Sequence, residues 1–148
     1  MLIINGTVHT MEGLTIPGGY VDIRGAKIAG TGPMEECPAS WEGEVFDAQG
    51  GHIQPGFVDA HCHLGMFGDA TGIEGDDGNE ATDPCTPHLR AVDAINPLDR
   101  GFQEAREAGV TTVLTGPGSA NPISGQLAAL KTNGRWVDAM VMRAPAAM

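Results

Sequence analysis

The alternation of a strand, a helix and a second strand limits the folds open to this chain more than any other feature of its sequence. The apolar segment 53–60 predicts a strand, residues 97–108 predict a helix, and the β-branched run 110–115 predicts a buried strand. Such a unit joins parallel strands through a right-handed crossover. SGQLAALKTNG at 124–134 predicts a further short helix and VDAMVM at 137–142 a third strand, so the alternation would continue.

Both ends of the predicted helix carry terminal signals. Asn96 is a suitable N-cap, Pro97 suits the first helical position, and Asp99 lies in the first turn, where the helix dipole favours an acid. Gly109 is a typical residue just after a helix. The buried face is predicted to carry a stripe of apolar residues: Leu98, Phe102, Ala105 and Ala108.

The first 50 residues have a different character and predict short strands. The dipeptides Asn5-Gly6 and Gly50-Gly51 are turn signals, and Arg24-Gly25 predicts a hairpin between YVDIR and AKIAG. With 22 glycines and 10 prolines, the chain has residues for many turns. We therefore predict a small β-domain at 1–52 and a separate α/β domain at 53–148.

A long, acidic and irregular segment, residues 66–95, separates the first predicted strand from the helix. Loops of this length within compact domains are usually functional or disordered. His88 lies in it and is a candidate substrate-binding residue, with a surface or packing role as the alternative. GPGSAN at 116–121 follows a strand and could offer backbone N–H groups to a ligand, although a plain turn explains it equally well.

Charge and composition exclude several kinds of partner. The net charge of −11 disfavours nucleic acid and anionic membranes, both of which require basic surfaces. The sequence has neither an apolar stretch of membrane-spanning length nor a signal-peptide pattern at its start. Three cysteines without paired spacing do not predict a disulfide framework, so we expect reduced thiols and a cytoplasmic location.

The strand FVDAHCHL carries the most distinctive polar pattern. With a period of two, Asp59, His61 and His63 face one side, while Val58, Ala60 and Cys62 face the other and would pack against helices. Imidazoles two residues apart on a strand are about 6–7 Å apart at Cβ and can converge on one cation at about 2.0–2.1 Å. Two histidines that only hydrogen-bond to nearby loops are the alternative.

These residues also match a family pattern. QPGFVDAHCHLG at 54–65 resembles the first barrel strand of the metal-dependent amidohydrolase superfamily, where Pro-Gly and two apolar residues precede Asp-x-His-x-His. INGTVHT and GAKIAGTG resemble the small β-sandwich of these enzymes, which implies an incomplete β-sandwich-like domain at 1–52. Farther along the chain, EGDDGNEATDPCTPHLRAVDAINP and GVTTVLTGPGSANPISGQLAALKT are similar to the imidazolonepropionase-related branch.

The resemblance implies a hydrolase of non-peptide or small-peptide carbon–nitrogen (amide) bonds. It implies the first βα units of an incomplete (β/α)8 TIM barrel, with His61 and His63 as ligands of one or two divalent ions, most often zinc. The remaining ligands and the general base, an Asp in the family, are expected beyond Met148. Because a complete barrel needs roughly 250 residues, we expect an N-terminal fragment that is inactive alone. The expected partner is a small amide substrate, and the complete enzyme could be a homo-oligomer.

A non-catalytic module that binds a metal weakly or associates with a partner protein is the alternative function. An open sheet edge and an uncovered apolar face would suit association. The sequence leaves the substrate open among N-acyl amino acids, dipeptides and cyclic amides.

Overall fold

The computed structural model describes residues 1–68 and 72–148. They form two compact units, one of residues 1–55 and one of residues 56–148. Each unit has its own sheet. Within the described residues, no helix is long and apolar enough to cross a membrane.

The first unit is a five-stranded mixed sheet. Three strands form an antiparallel meander and two short strands pair in parallel with the first one. The strands are β1 (Leu2–His9), β2 (Thr15–Arg24), β3 (Lys27–Pro33), β4 (Val45–Asp47) and β5 (His52–Ile53). A 3₁₀ turn, Met34–Glu36, follows β3. The buried apolar side chains of this unit are Leu2, Val8, Tyr20 and Val21.

This sheet confirms the predicted β-rich character and corrects two details. The hairpin at Arg24-Gly25 is present between β2 and β3. Asn5-Gly6 is not a turn: Asn5 has a φ of 57° within β1, where the pairing with β2 shifts register, so the dipeptide forms a bulge. The strands form one sheet rather than the two layers of a sandwich.

The second unit is a four-stranded sheet in the order β6-β7-β8-β9. Its strands are β6 (Phe57–Cys62), β7 (Val110–Thr115), β8 (Leu127–Lys131) and β9 (Val141–Ala147). Its helices are the single turns α1 (Ala91–Ala94) and α3 (Val137–Met140) and the longer α2 (Arg100–Glu107), with a 3₁₀ turn at Gly72–Gly75. The parallel pair β6 and β7, with α2 between them in sequence, confirms the first predicted strand–helix–strand unit.

The alternation stops after β7, contrary to the sequence prediction. The helix predicted at 124–134 is wrong: this segment contains β8, which pairs antiparallel with both β7 and β9. Leu130 is fully buried in this central strand, so pairing on both edges outweighs the helix propensity of its alanines and leucines. The strand predicted at 137–142 is wrong in its first part, because Val137–Met140 is the helical turn α3 and the strand begins at Val141.

Helix α2 begins later than the sequence predicted. Asp99 is the N-cap, and its Oδ1 accepts a hydrogen bond from the Gly101 N–H at 2.8 Å. Asn96 instead accepts from the N–H of Leu98 at 3.0 Å in a separate turn. Leu98 is therefore outside the helix and 79% exposed, whereas Phe102 is buried as predicted.

The core of the second unit lies between the sheet and the helices. Its buried side chains are Met66, Ala91, Ile95, Phe102, Val113, Ala128, Leu130 and Met140. The predicted loop at 66–95 is largely irregular where described, and its residues 69–71 lie outside the described part. Thr86 fastens this loop to the segment after β7, donating from its backbone N–H to the Ile123 carbonyl at 2.8 Å.

Candidate functional site

The two histidines of the predicted site lie at the end of the edge strand β6. His61 is in the strand and exposed, and His63 follows it, half-buried. Between Asp59 and Cys62 the pairing with β7 shifts register, so β6 is bulged at Ala60 and His61. The predicted alternation of faces is therefore interrupted within this strand. Cys62 packs on the core, whereas Val58 is 67% exposed rather than packed against helices.

The imidazoles of His61 and His63 are in direct contact. Their ring centroids are 5.2 Å apart and their planes meet at 82°. His63 Nδ1 lies 2.7 Å from the carbonyl oxygen of Gly116. Because a carbonyl only accepts, Nδ1 carries the proton and donates it. In a neutral His63 the lone pair is therefore on Nε2, the nitrogen free to bind a metal.

Asp59 acts on the backbone of the same strand. Its Oδ1 accepts a hydrogen bond from the His61 N–H at 3.1 Å. The contact observed is a local one that holds the main chain at His61 next to the bulge.

The backbone that follows His63 is anchored from β7. The fully buried Thr115 donates its hydroxyl proton to the Leu64 carbonyl at 2.8 Å. Gly65 has a φ of +88°, and a Cβ there would lie 2.9 Å from a ring carbon of Phe102. A glycine is therefore required at this close approach of chain and helix.

The thiol of Cys62 is unsuited to nucleophilic attack. Burial raises its pKa, and the negative charge of Asp59 adds to this effect, against hydrogen bonds from Leu64 and Thr115 that lower it. An activated cysteine needs the opposite shift, since the thiolate is the reactive form. The chemistry of this site therefore depends on the imidazoles.

A cleft of about 500 Å³ lies beside His61. Its walls are mainly apolar and include Leu114, Ile123 and Leu127, with Ser119 and Asn121 as polar members. Asn121 holds this wall to the acidic loop by donating from Nδ2 to the carbonyls of Glu80, at 2.8 Å, and Asp83, at 3.2 Å. The cleft therefore has a braced wall and an imidazole at one side.

His88 is not brought to the two histidines. It is exposed on the acidic loop and, within the described residues, does not line the cleft beside His61. Its positive charge contributes to a lowered pKa of Glu80, after the larger effect of hydrogen bonds from Thr82. Nor do three or more His, Cys, Asp or Glu side chains in the described part of the chain come together as a metal-binding group.

Two supporting groups had no specific sequence signal. The Gly116 carbonyl and the Thr115 hydroxyl reach the histidine segment only because β7 pairs with β6. The sequence indicated that GPGSAN at 116–121 could offer backbone N–H groups to a ligand, but the Gly116 and Gly118 N–H groups donate to the carbonyls of Cys62 and Gly78. What this segment provides at the histidines is the Gly116 carbonyl, a hydrogen-bond acceptor.

Comparison with known proteins identifies relatives along most of the chain, although no family model matches it. Amidohydrolase tasK of Hapsidospora irregularis is 40% identical over 100 residues, which are 67% of this chain and 10% of that protein. Imidazolonepropionase of Streptomyces griseus is 32% identical over 132 residues, covering 83% of this chain and 33% of that protein.

A solved structure agrees with these relatives. An amidohydrolase from Thermotoga maritima superposes with a TM-score of 0.88 and 39% identity, over 98% of this chain and 37% of its own. The chain thus spans about a tenth to a third of the length of the two curated relatives. With this agreement in sequence and structure, the chain belongs to the amidohydrolase superfamily and corresponds to an N-terminal portion of such a protein.

Proposed function

We propose that this chain contributes the first metal-binding segment of a metal-dependent hydrolase that cleaves carbon–nitrogen bonds of small amides. The observation that carries the proposal is the imidazole pair of His61 and His63, with the His63 Nδ1–H donated to Gly116 at 2.7 Å. That arrangement leaves Nε2 of His63 available, as in protein sites where a second hydrogen bond fixes the tautomer of a metal ligand.

The described residues fit a divalent ion in part. His61 and His63 would hold it as neutral nitrogen ligands, the type that zinc accepts. In this proposal the other ligands and the general base, an Asp by family resemblance, belong to residues beyond Met148. We therefore expect no turnover by the 148 residues alone. In this proposal the first strands belong to a (β/α)8 barrel.

When bound, a divalent ion of this kind polarises an amide carbonyl and lowers the pKa of a coordinated water. The residues of this chain have separate tasks. Gly116 fixes the tautomer of His63, Asp59 holds the backbone of His61, and the wall from Leu114 to Leu127 excludes water from one side of a bound amide. We assign His88 a substrate-facing role on the acidic loop, and we place the protein in the cytoplasm.

A chimaera tests this proposal directly. Residues 1–148 replace the matched 37% of the Thermotoga maritima amidohydrolase, and metal content is measured beside the unaltered parent protein. The chimaera should bind zinc, and His61→Ala and His63→Ala should each lower metal occupancy by about tenfold or more. His88→Ala is the matched control and should keep the metal while raising KM for any amide that is hydrolysed.

Full metal occupancy in the His61→Ala, His63→Ala double variant would refute the ligand assignment. Circular dichroism and size-exclusion chromatography of each variant separate loss of metal from loss of fold.

Exposed apolar side chains on β6 support a second candidate, a module that associates with other protein. Phe57 is 54% exposed and Val58 67% exposed, and β6 is an edge strand. Edge strands with uncovered apolar residues invite pairing. Two results together would favour this candidate over the hydrolase. The chain would bind no zinc, and it would self-associate in a concentration-dependent way that the Val58→Lys substitution abolishes.

A further inference from the structure

A second pair of histidines lies in the first unit of the chain. His9 Nε2 and His52 Nδ1 are 2.8 Å apart, and the two ring centroids are 5.0 Å apart with an interplanar angle of 24°. His9 ends β1 and His52 begins β5. From these positions we propose that His9 and His52 form a surface site for a divalent transition-metal ion, independent of the proposed hydrolase site.

The backbone holds these two histidines in place. Thr7 and His52 are partners in the parallel pairing of β1 with β5, and the Thr7 N–H donates to the Gly51 carbonyl at 2.8 Å. Side chains two residues apart on a strand share a face, so His9 and His52 are diagonal neighbours on one side of the sheet. A metal would therefore meet two imidazoles that the sheet already holds next to each other.

The β1–β5 contact is also closely packed. A Cβ on Gly6 would come within 2.4 Å of Ile53 Cδ1, so the Ile53 side chain lies directly against β1. This packing leaves β5 little freedom to slide, which keeps the two ring nitrogens close before a metal arrives.

The type of ligand indicates the kind of ion. Imidazole nitrogens suit Cu²⁺, Ni²⁺ and Zn²⁺, and Cu²⁺ binds most strongly in the divalent series. The 2.8 Å between His9 Nε2 and His52 Nδ1 is a hydrogen-bond distance, and it places both nitrogens within reach of one ion with bonds of about 2.0–2.1 Å once the rings rotate towards it.

Binding moves one ring proton without releasing it. In the hydrogen bond one imidazole donates its ring proton to the other; to bind an ion, that donor carries the proton on its other ring nitrogen instead, so that both neutral rings present a lone pair. His52 is exposed and His9 partly so, and water can fill the remaining positions.

Cu²⁺ titration of the untagged 148-residue chain tests the site. The parent carries His61→Ala and His63→Ala, so that the other histidine pair cannot contribute. We expect one Cu²⁺ per chain, with electron paramagnetic resonance showing two imidazole nitrogens. His9→Gln and His52→Gln should each weaken binding by about tenfold or more and leave one imidazole nitrogen, because the chelate is lost. Zn²⁺ should bind more weakly than Cu²⁺.

Two controls keep the outcome decisive. His88→Ala removes an exposed histidine outside the pair and should leave both the affinity and the spectrum unchanged. Unchanged far-ultraviolet circular dichroism in the glutamine variants excludes unfolding as the cause of weaker binding. Equal Cu²⁺ affinity in the parent and both glutamine variants, or one imidazole nitrogen in the parent spectrum, would overturn the proposal. Failure of the proposed hydrolase function would leave this result unaffected.

Discussion

Replacing Thr115 by valine should loosen the backbone that follows the two histidines. Thr115 is fully buried and its hydroxyl donates to the Leu64 carbonyl at 2.8 Å. Valine keeps the shape of threonine but leaves that carbonyl without its donor, which costs about 1–3 kcal/mol of unfolding free energy. Since domains of this kind have roughly 5–15 kcal/mol in total, the loss is measurable by urea unfolding.

Amide hydrogen exchange at Val113 and Leu130 reports the stability of the second unit by itself, because both residues belong to its core.

Thr115→Ser is the matched control for this experiment. It keeps the hydroxyl and removes one methyl group, worth about 0.8 kcal/mol by transfer. It should therefore lose less unfolding free energy than Thr115→Val, which loses the hydrogen bond to the Leu64 carbonyl. A valine variant at least as stable as the serine variant would refute the assigned role of the hydroxyl.

Three further predictions concern the second unit. Phe102→Ala should cost about 3–5 kcal/mol in urea unfolding, because the ring is 1% exposed at the centre of the core; a cost below about 1 kcal/mol would contradict that position. Asp99→Ala should cost about 1 kcal/mol and Asp99→Asn much less, since asparagine also caps helices; equal losses would exclude capping by the side chain. The hydrogen bond and the positive charge of Arg90 lower the pKa of Asp93. The ion pair therefore gives its full stabilisation at pH values above the ordinary Asp pKa, and this stabilisation is lost as the pH falls through the lowered pKa of Asp93. Arg90→Gln should return the Asp93 pKa towards its ordinary value in a carboxyl NMR titration, and an unmoved titration would contradict the pairing.

Local signals predicted much of the fold where the local pattern and the tertiary contacts agree. The β2–β3 hairpin, the buried Phe102 and the parallel pair β6–β7 all follow from turn residues and apolar spacing. Strand β8 could not be predicted in this way. Its alanines and leucines favour a helix by themselves, and only pairing with two neighbouring strands makes the segment extended.

The site shows the same division. The spacing of His61 and His63 was sufficient to predict that the imidazoles meet. The bulge in β6 and the Gly116 acceptor were not predictable, because each arises from the register between strands far apart in sequence. Asn96 was predicted as the N-cap, but the N-cap of α2 is Asp99. Both residue types cap helices well, so the sequence alone did not show that Asn96 closes a separate turn before the helix.

Zinc titration followed by imidazole ¹⁵N NMR tests the central claim most directly. The chain carries His9→Gln and His52→Gln, so that the other histidine pair does not contribute. We predict that zinc shifts His63 Nε2 and one ring nitrogen of His61 together, while His63 Nδ1 keeps the proton that it donates to Gly116. Unchanged nitrogen shifts at both histidines under saturating zinc, or metal binding at His63 Nδ1, would contradict the account.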